Sequence, residues 1–288
     1  MFNMRRCDGW FLSNAEGGQV TGKAGSWMKG VGLAAALVIA CAGSGTQAAE
    51  KIRFGVMGGA EEEIAQVAQK VAAAKGLDVQ LVTFSDYVLP NEALENRELD
   101  ANAFQHKPYL DSQIKAHGYH IVPLGYTIVE PMALYSQKIK ALDGLKEGSR
   151  VGIPNDPSNG GRALNLLAAN GLLSLGADKG LVPSLADVTG NPRKLKLVEL
   201  DAALLPRALA DLDAAVITTD HALNGGLDPR KDALIQEPRQ NNPYGNFIAV
   251  READKDKPGL KALVAAYQSP EVAAFLEQRF KGAILPAW

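Results

Sequence analysis

Cysteine is almost absent from this 288-residue chain. Its two cysteines, Cys7 and Cys41, both precede residue 49, so the body that follows contains none. A disulfide framework, a thiolate metal site and a cysteine nucleophile are therefore excluded from that body. Aromatic residues make up only 6% of the chain, so the core must be packed mainly by valine, leucine, isoleucine and alanine.

The chain also lacks an excess of either charge. Its net charge is −2, and the first 48 residues hold four basic and two acidic residues, a net of +2, which leaves −4 for the body. A mildly acidic body has no basic stripe to neutralise phosphates, which argues against nucleic-acid binding. It likewise has no cationic cluster to hold it on an anionic membrane surface.

Familiar catalytic motifs are missing as well. The sequence contains no Gly-x-Ser-x-Gly nucleophile elbow, no Gly-x-x-x-x-Gly-Lys-Ser/Thr phosphate loop and no Gly-x-Gly-x-x-Gly fingerprint. His117 and His120 are close in sequence, but Gly118 breaks the regular spacing that a pair of ligands on a helix needs. We therefore expect no metal site, no cofactor and no catalytic residue.

One long apolar run is present, at residues 31–42. It is too short to span a bilayer as a helix, but with Lys29 before it and small residues after it, it matches the hydrophobic region of a signal peptide. We interpret residues 1–48 as a leader with its working start at Met28, and we expect export to the periplasm.

Two cleavage patterns in the leader compete. The segment Val38-Ile-Ala-Cys41 resembles a lipobox, which would place a lipid on Cys41 and tether the protein to the membrane. The segment Thr46-Gln-Ala48 fits ordinary signal peptidase, which would release a soluble periplasmic protein. The sequence leaves both outcomes open.

The body alternates predicted strands and helices. Residues 51–57 predict a strand, the apolar spacing over residues 60–75 predicts a helix, and residues 77–84 predict a second strand. Such a β-α-β unit implies parallel strands joined by a right-handed crossover. Continued alternation along the chain predicts an α/β fold.

Two extended apolar stretches suggest a division into lobes. Residues 124–135 and 243–251 would each cross from one lobe to the other, which makes the second lobe an insertion in the first. We assign lobe I to residues 49–130 and 246–288, and lobe II to residues 131–245.

A polar turn, Asn155-Asp-Pro-Ser-Asn-Gly-Gly-Arg162, precedes a helix predicted over residues 162–170. An arginine fork beside the free N–H groups of a helix start suits a carboxylate. The alternative is that Asp156 or Ser158 caps the helix and Arg162 is a solvated surface residue.

A second polar and aromatic cluster, Asn102-Ala-Phe-Gln-His-Lys-Pro-Tyr109, lies at the end of a predicted strand. Its phenylalanine, histidine and tyrosine would suit an apolar ligand tail, although ordinary core packing gives the same pattern.

Four segments together strongly resemble the NlpA family of methionine-binding lipoproteins. They are Thr83-Phe-Ser-Asp-Tyr-Val-Leu-Pro-Asn-Glu-Ala-Leu, Asp100-Ala-Asn-Ala-Phe-Gln-His-Lys-Pro-Tyr-Leu, Val151-Gly-Ile-Pro-Asn-Asp-Pro-Ser-Asn-Gly-Gly-Arg and Ala266-Tyr-Gln-Ser-Pro-Glu-Val. The resemblance runs from about Ile52 to Trp288. It implies a type II periplasmic-binding-protein fold, in which two α/β lobes joined by two crossover segments hold a ligand cleft between them. It also implies an ABC importer, with its permease and ATPase, as partner.

The resemblance further implies a ligand site. An aromatic and histidine wall would surround a thioether side chain, an arginine would bind the ligand carboxylate, and polar groups would bond to the ligand's backbone atoms. The residues carried over are Tyr87, Phe104, His106, Tyr109, Arg162, Thr218 and Asn246.

The resemblance breaks at Val216-Ile-Thr-Thr-Asp-His-Ala, where the family's methionine binders usually read Val-Ile-Asn-Thr-Thr-Tyr-Ala. Thr218 replaces an asparagine, and Asp220 and His221 are unusual there. Asp220 would pair with a ligand ammonium if it faced the cleft, and would be an ordinary loop acid if it faced solvent. The ligand is therefore open among L-methionine, D-methionine, a methionine-containing dipeptide and another amino acid.

We expect a solute-binding protein that delivers L-methionine, or a close relative, to an ABC importer, and not an enzyme. A periplasmic enzyme on the same fold is the alternative from another class, but the candidate pocket holds His106 without an obvious acid or base partner in the sequence. Turnover discriminates between the two, because a binding protein returns its ligand unchanged.

Overall fold

The structure, a computed structural model, describes Gln19 and residues 51–288. Apart from Gln19, the predicted leader lies outside the described residues, and with it Cys41 and the start at Met28. Within the described ranges, no helix combines the length and the apolar character needed to cross a membrane.

Residues 51–288 form an α/β fold of two lobes, each built on its own sheet, which confirms the predicted fold class. The strands are β1 (Lys51–Met57), β2 (Asp78–Phe84), β3 (Ala101–His106), β4 (Ile121–Val129), β5 (Ala133–Tyr135), β6 (Arg150–Pro154), β7 (Ser174–Leu175), β8 (Val188–Gly190), β9 (Lys196–Leu200), β10 (Ala214–Ile217), β11 (Ala233–Gln236), β12 (Gly245–Arg251) and β13 (Leu285–Pro286). The helices are α1 (Ala60–Ala74), α2 (Leu89–Glu95), α3 (Lys107–His117), α4 (Pro157–Ala169), α5 (Leu205–Ala208), α6 (Thr219–Asn224), α7 (Pro258–Tyr267) and α8 (Pro270–Phe280).

The larger sheet has the strand order β13-β4-β12-β3-β1-β2. Strand β1 pairs in parallel with both β2 and β3, as the predicted β-α-β unit requires. Helix α1 covers this sheet with an apolar stripe at helical spacing, in which Ile64, Ala68 and Ala72 are buried. Helices α7 and α8 complete the same core with Leu263 and Leu276.

The smaller sheet has the order β11-β5-β10-β6-β9 and packs against α4. The predicted start of this helix at Arg162 is wrong, because α4 begins five residues earlier, at Pro157. Proline suits the first helical position, and the side chain of Asp156 caps the helix by accepting a hydrogen bond from Asn159 N at 2.8 Å. Arg162 consequently lies in the second turn, beyond the free N–H groups.

The chain passes between the two sheets twice, through short segments. One joins β4 to β5 and contains Glu130, and the other joins β11 to β12 and contains Glu237. Both glutamates are buried. The crossovers therefore place two carboxyl groups between the sheets rather than in solvent.

A buried cluster of three amides fastens α2 to β3. Asn91 Nδ2 donates to Gln105 Oε1 at 2.8 Å, and Gln105 Nε2 donates back to Asn91 Oδ1 at 2.6 Å. Asn102 Nδ2 also donates to Asn91 Oδ1, at 3.0 Å. Because buried amides are costly unless they are bonded, this cluster fixes β3, the strand that carries Phe104 and His106.

Replacing Asn91 with alanine should lower the free energy of unfolding by about 2–3 kcal/mol, because it removes the donor to Gln105 Oε1 and the acceptor that Gln105 and Asn102 share. Urea unfolding measures this loss. The matched control is Gln278→Ala on the exposed face of α8, for which we expect a change within about 0.5 kcal/mol. Equal losses for the two variants would show that the cluster does not stabilise the fold.

Candidate functional site

A narrow cavity lies between the two sheets. Its walls come from β3, α3, α4 and β12, from the start of α6 and from the first crossover. The structure brings all seven residues carried over from the family to this one cavity, although their contacts with a ligand remain a prediction. The lining residues are Tyr87, Phe104, His106, Tyr109, Glu130, Asn159, Arg162, Thr218, Asp220 and Asn246.

Three aromatic rings form one wall of the cavity. The ring of Tyr87 lies 6.0 Å from that of Phe104 in a stacked arrangement and 6.0 Å from that of Tyr109 edge to face. The hydroxyl of Tyr109 donates to the carbonyl oxygen of Tyr87 at 2.8 Å, which fixes the loop that carries Tyr87. This aromatic wall, Tyr87, Phe104 and Tyr109, presents an apolar surface to the cavity.

His106 is held by protein groups at both ring nitrogens. Its Nδ1 accepts from Tyr109 N at 3.3 Å and so caps α3, and its Nε2 lies 3.1 Å from Asn159 Oδ1. These partners assign the proton to Nε2, which donates to Asn159. Burial, with the charge of Arg162, lowers the pKa of His106 to about 3. The ring therefore remains neutral and has no free nitrogen for a substrate.

Arg162 is only 4% exposed, so the alternative of a solvated surface residue is wrong. Its Nε donates to Glu237 Oε1 at 2.7 Å, and its Nη2 donates to Glu237 Oε2 at 2.6 Å and to the carbonyl oxygen of Glu130 at 2.8 Å. The guanidinium lies over the ring of Tyr244, 4.2 Å from its centroid. Within residues 51–288, no hydrogen bond uses Nη1, which leaves one donor edge for a ligand.

Asp220 faces the cavity, which decides the question that the sequence left open. It is 2% exposed, and the hydroxyl of Tyr87 donates to its carboxylate at 2.7 Å. The hydroxyl of Thr218 lies 2.9 Å from that of Tyr87 and, since the tyrosine proton is given to Asp220, acts as the donor to it. His221 packs beside this group, with its ring 4.8 Å from that of Tyr87.

A further carboxyl group, that of Glu130, lines the cavity, and the carboxyl group of Glu61 lies next to it. Glu130 is 7% exposed and Glu61 is buried, with Glu61 Oε2 accepting from Met57 N at 3.3 Å. Burial and the nearby charge of Asp220 raise the pKa of Glu130 to about 8, and burial and Glu130 raise the pKa of Glu61 well above its usual range. Among the described residues, no group of acids and histidines has the arrangement of a metal site.

Glu130, Asn159 and Glu237 are not among the residues that the sequence predicts for the site. Glu130 directly precedes Pro131 in the predicted crossover, and Asn159 belongs to the polar turn, so each offered a local signal that was not used. Glu237 offered none, because it lies 75 residues from Arg162 and only the fold brings the two together.

Glu130→Gln should change how stability depends on pH. A carboxyl whose pKa is raised by folding stabilises the protein below its unfolded pKa and loses that contribution as pH rises through the folded pKa, here between about 4.3 and about 8. The stability advantage of the wild type over Glu130→Gln should therefore shrink between pH 5 and pH 8 in urea unfolding without ligand. The control is Glu199→Gln, at an exposed position on β9. Its difference from the wild type in unfolding free energy should stay constant between pH 5 and pH 8. If the difference in unfolding free energy between the wild type and Glu130→Gln stays constant or grows from pH 5 to pH 8, Glu130 does not have the raised pKa that we assign to it.

Comparison with known proteins agrees with this architecture. The family model of the NlpA lipoproteins matches residues 52–288. The D-methionine-binding lipoprotein MetQ of Escherichia coli strain K12 is 52% identical over 240 residues, 82% of this chain and 88% of the relative. Lipoprotein 28 of the same strain is 46% identical over 259 residues, 89% of this chain and 95% of the relative.

Solved structures give the same result. A nutrient binding protein from Burkholderia cenocepacia, bound to methionine, is similar with a TM-score of 0.80 and 49% identity, covering 82% of this chain and all of that one. The methionine binding protein MetQ is similar with a TM-score of 0.81 and 52% identity, covering 83% of this chain and 98% of that one. The resemblance found in the sequence is thus confirmed, and the chain belongs to the NlpA lipoprotein family.

Proposed function

We propose that this chain is an exported solute-binding protein that captures methionine or a close relative and delivers it to an ABC importer. The observation that carries the proposal is the cavity itself, which is lined both by an aromatic wall and by a buried arginine with one free donor edge. The relatives named as methionine-binding proteins, and the neighbour solved with methionine bound, support the same ligand class.

An amino acid fits the cavity through complementary chemistry at its two ends. Its carboxylate would accept from Arg162 Nη1, which replaces hydrogen bonds lost when the ligand leaves water. Asn246 is available for the ligand's backbone polar atoms, because its Nδ2 makes only long contacts, of 3.4 Å to Phe104 O and 3.5 Å to Glu130 Oε2. A thioether against the aromatic wall would add about 1 kcal/mol.

The chemistry of His106 argues against turnover. His106, the one candidate general base from the sequence, is neutral with both ring nitrogens engaged, and its pKa of about 3 is far from that of a base working near neutral pH. The ligand should therefore leave the protein unchanged.

The cellular setting follows from the leader and the family. The signal peptide would direct the chain to the periplasm, where it is either anchored by a lipid on Cys41 or released as a soluble protein. Its partners would be the permease and the ATPase of an importer. We expect no nucleic-acid partner, because the body is mildly acidic.

Methionine, L or D, should raise the free energy of unfolding of the purified mature protein. At about 100 times the dissociation constant, the expected gain is about 2.7 kcal/mol, because the ligand binds only the folded state. Unfolding in urea, after removal of any co-purified ligand by partial unfolding and dialysis, measures the gain. A panel of amino acids and methionine dipeptides in which none stabilises the protein would contradict the proposal.

Removing the arginine fork should abolish binding while the fold survives, provided that Glu237 is neutralised at the same time. Arg162→Ala alone would leave the Glu237 carboxylate buried and unpaired, at a cost of about 3–5 kcal/mol. We therefore choose Arg162→Met with Glu237→Gln, for which titration calorimetry should show affinity at least about 100-fold weaker.

The control for this pair is Glu237→Gln alone, which keeps the guanidinium and should retain most of the affinity. If the double variant folds and still binds as tightly as the control, Arg162 does not hold the ligand.

A further inference from the structure

The two lobes enclose the polar groups of the cavity. His106 at the end of β3 and Arg162 in α4 are each 4% exposed, and Asp220 in α6 is 2% exposed. Groups this deeply buried offer almost no surface to a ligand, so the lobes must separate about the two crossovers before a ligand can enter. Every hydrogen bond that joins the lobes is therefore broken on opening and formed again on closing.

Helix α6 follows β10 of the smaller sheet, and both of its ends contact the lobe of the larger sheet. At its N-terminal end, Asp220 accepts from the hydroxyl of Tyr87 at 2.7 Å, inside the cavity. At its C-terminal end, Asn224 Nδ2 donates to the carbonyl oxygen of Gly58 at 2.9 Å, across 166 residues of sequence. Neither Asn224 nor Gly58 lines the cavity. The second contact is thus a bond between the lobes that lies outside the ligand site.

The turn directly after β1 is shaped for this contact. The N–H of Gly58 donates to the carbonyl oxygen of Phe84 at 2.9 Å, which fixes the peptide beside the larger sheet. Gly59 has a φ of +90°, and a Cβ at this position would overlap the side-chain oxygen of Asn224. Glycine permits both this backbone conformation and so close an approach. The turn therefore holds an acceptor in place and leaves room for the asparagine that bonds to it.

We infer that Asn224 is a positioning residue for ligand binding, which holds the lobes together from outside the cavity and raises the affinity for every ligand by the same factor. A bond that forms only when the lobes are closed lowers the free energy of the closed form, whichever ligand lies inside. It slows dissociation, because opening must break it, and it leaves the choice between ligands to the cavity. This inference rests on the proposed function, since it concerns a ligand bound between the lobes.

Two substitutions of Asn224 test the inference. Asn224→Ala removes the amide, and Asn224→Asp replaces it with a carboxylate that repels the carbonyl oxygen of Gly58. In titration calorimetry, Asn224→Ala should bind L-methionine about two- to ten-fold more weakly, the range expected for one hydrogen bond, and Asn224→Asp should bind it more weakly still. A second ligand of the wild type, such as D-methionine or L-norleucine, should lose affinity by the same factor. Stopped-flow displacement should show faster dissociation of each ligand.

The matched control is Asn170→Ala. Asn170 is also an exposed asparagine, and its Nδ2 donates to the carbonyl oxygen of Leu166 at 2.8 Å, within the same lobe. Separation of the lobes does not break that bond, so this variant should bind ligands as the wild type does. Urea unfolding without ligand checks that each variant folds.

Each outcome decides the inference. Weaker binding by one common factor with faster dissociation in the Asn224 variants, and neither change in Asn170→Ala, supports it. Unchanged affinity in both Asn224 variants overturns it and leaves the proposed function in place. Loss of affinity for one ligand alone, or an equal loss in Asn170→Ala, overturns it as well, because the effect would then not come from the contact between the lobes. A wild type that binds no amino acid removes the proposed function and this inference together.

Discussion

The bidentate pair between Arg162 and Glu237 is the interaction on which the rest of the site depends. It joins α4 of one lobe to the second crossover, and the same guanidinium reaches the first crossover through the carbonyl oxygen of Glu130. A buried ion pair of this kind contributes little net stability, but separating its partners is strongly unfavourable. It therefore acts as a constraint on geometry, holding both crossovers and one free donor edge in place at the cavity.

The overall architecture could be predicted from the sequence because it depends on local pattern. Apolar spacing at Ile64 and Ala68, with strands on either side, is enough to indicate a β-α-β unit. The segment around Phe104 indicates an apolar site only together with the family resemblance. The start of α4 was misplaced for a local reason too. A proline at the first helical position, preceded by Asp156 as the cap, is a typical helix start. The prediction gave more weight to the polar turn and therefore began the helix at Arg162.

The electrostatics of the site could not be predicted in the same way. Glu237 meets Arg162 across 75 residues, and Glu130 meets Glu61 across the lobe, so no window of sequence contains either pair. The environment of Asp220 was equally out of reach, since a single residue on a six-residue helix faces solvent or cavity according to tertiary packing alone. Sequence resemblance located the cavity, and only the structure showed which buried carboxyl groups lie in it and beside it.

The central claim is that this cavity holds a small molecule with an amino-acid headgroup. The most direct measurement is mass spectrometry of the compound released when protein purified without unfolding, from cells in rich medium, is denatured. The account predicts one dominant species of amino-acid size with an α-ammonium and an α-carboxylate. Release of a compound that lacks these groups, or a protein that is empty and remains empty after incubation with an amino-acid mixture, would contradict it.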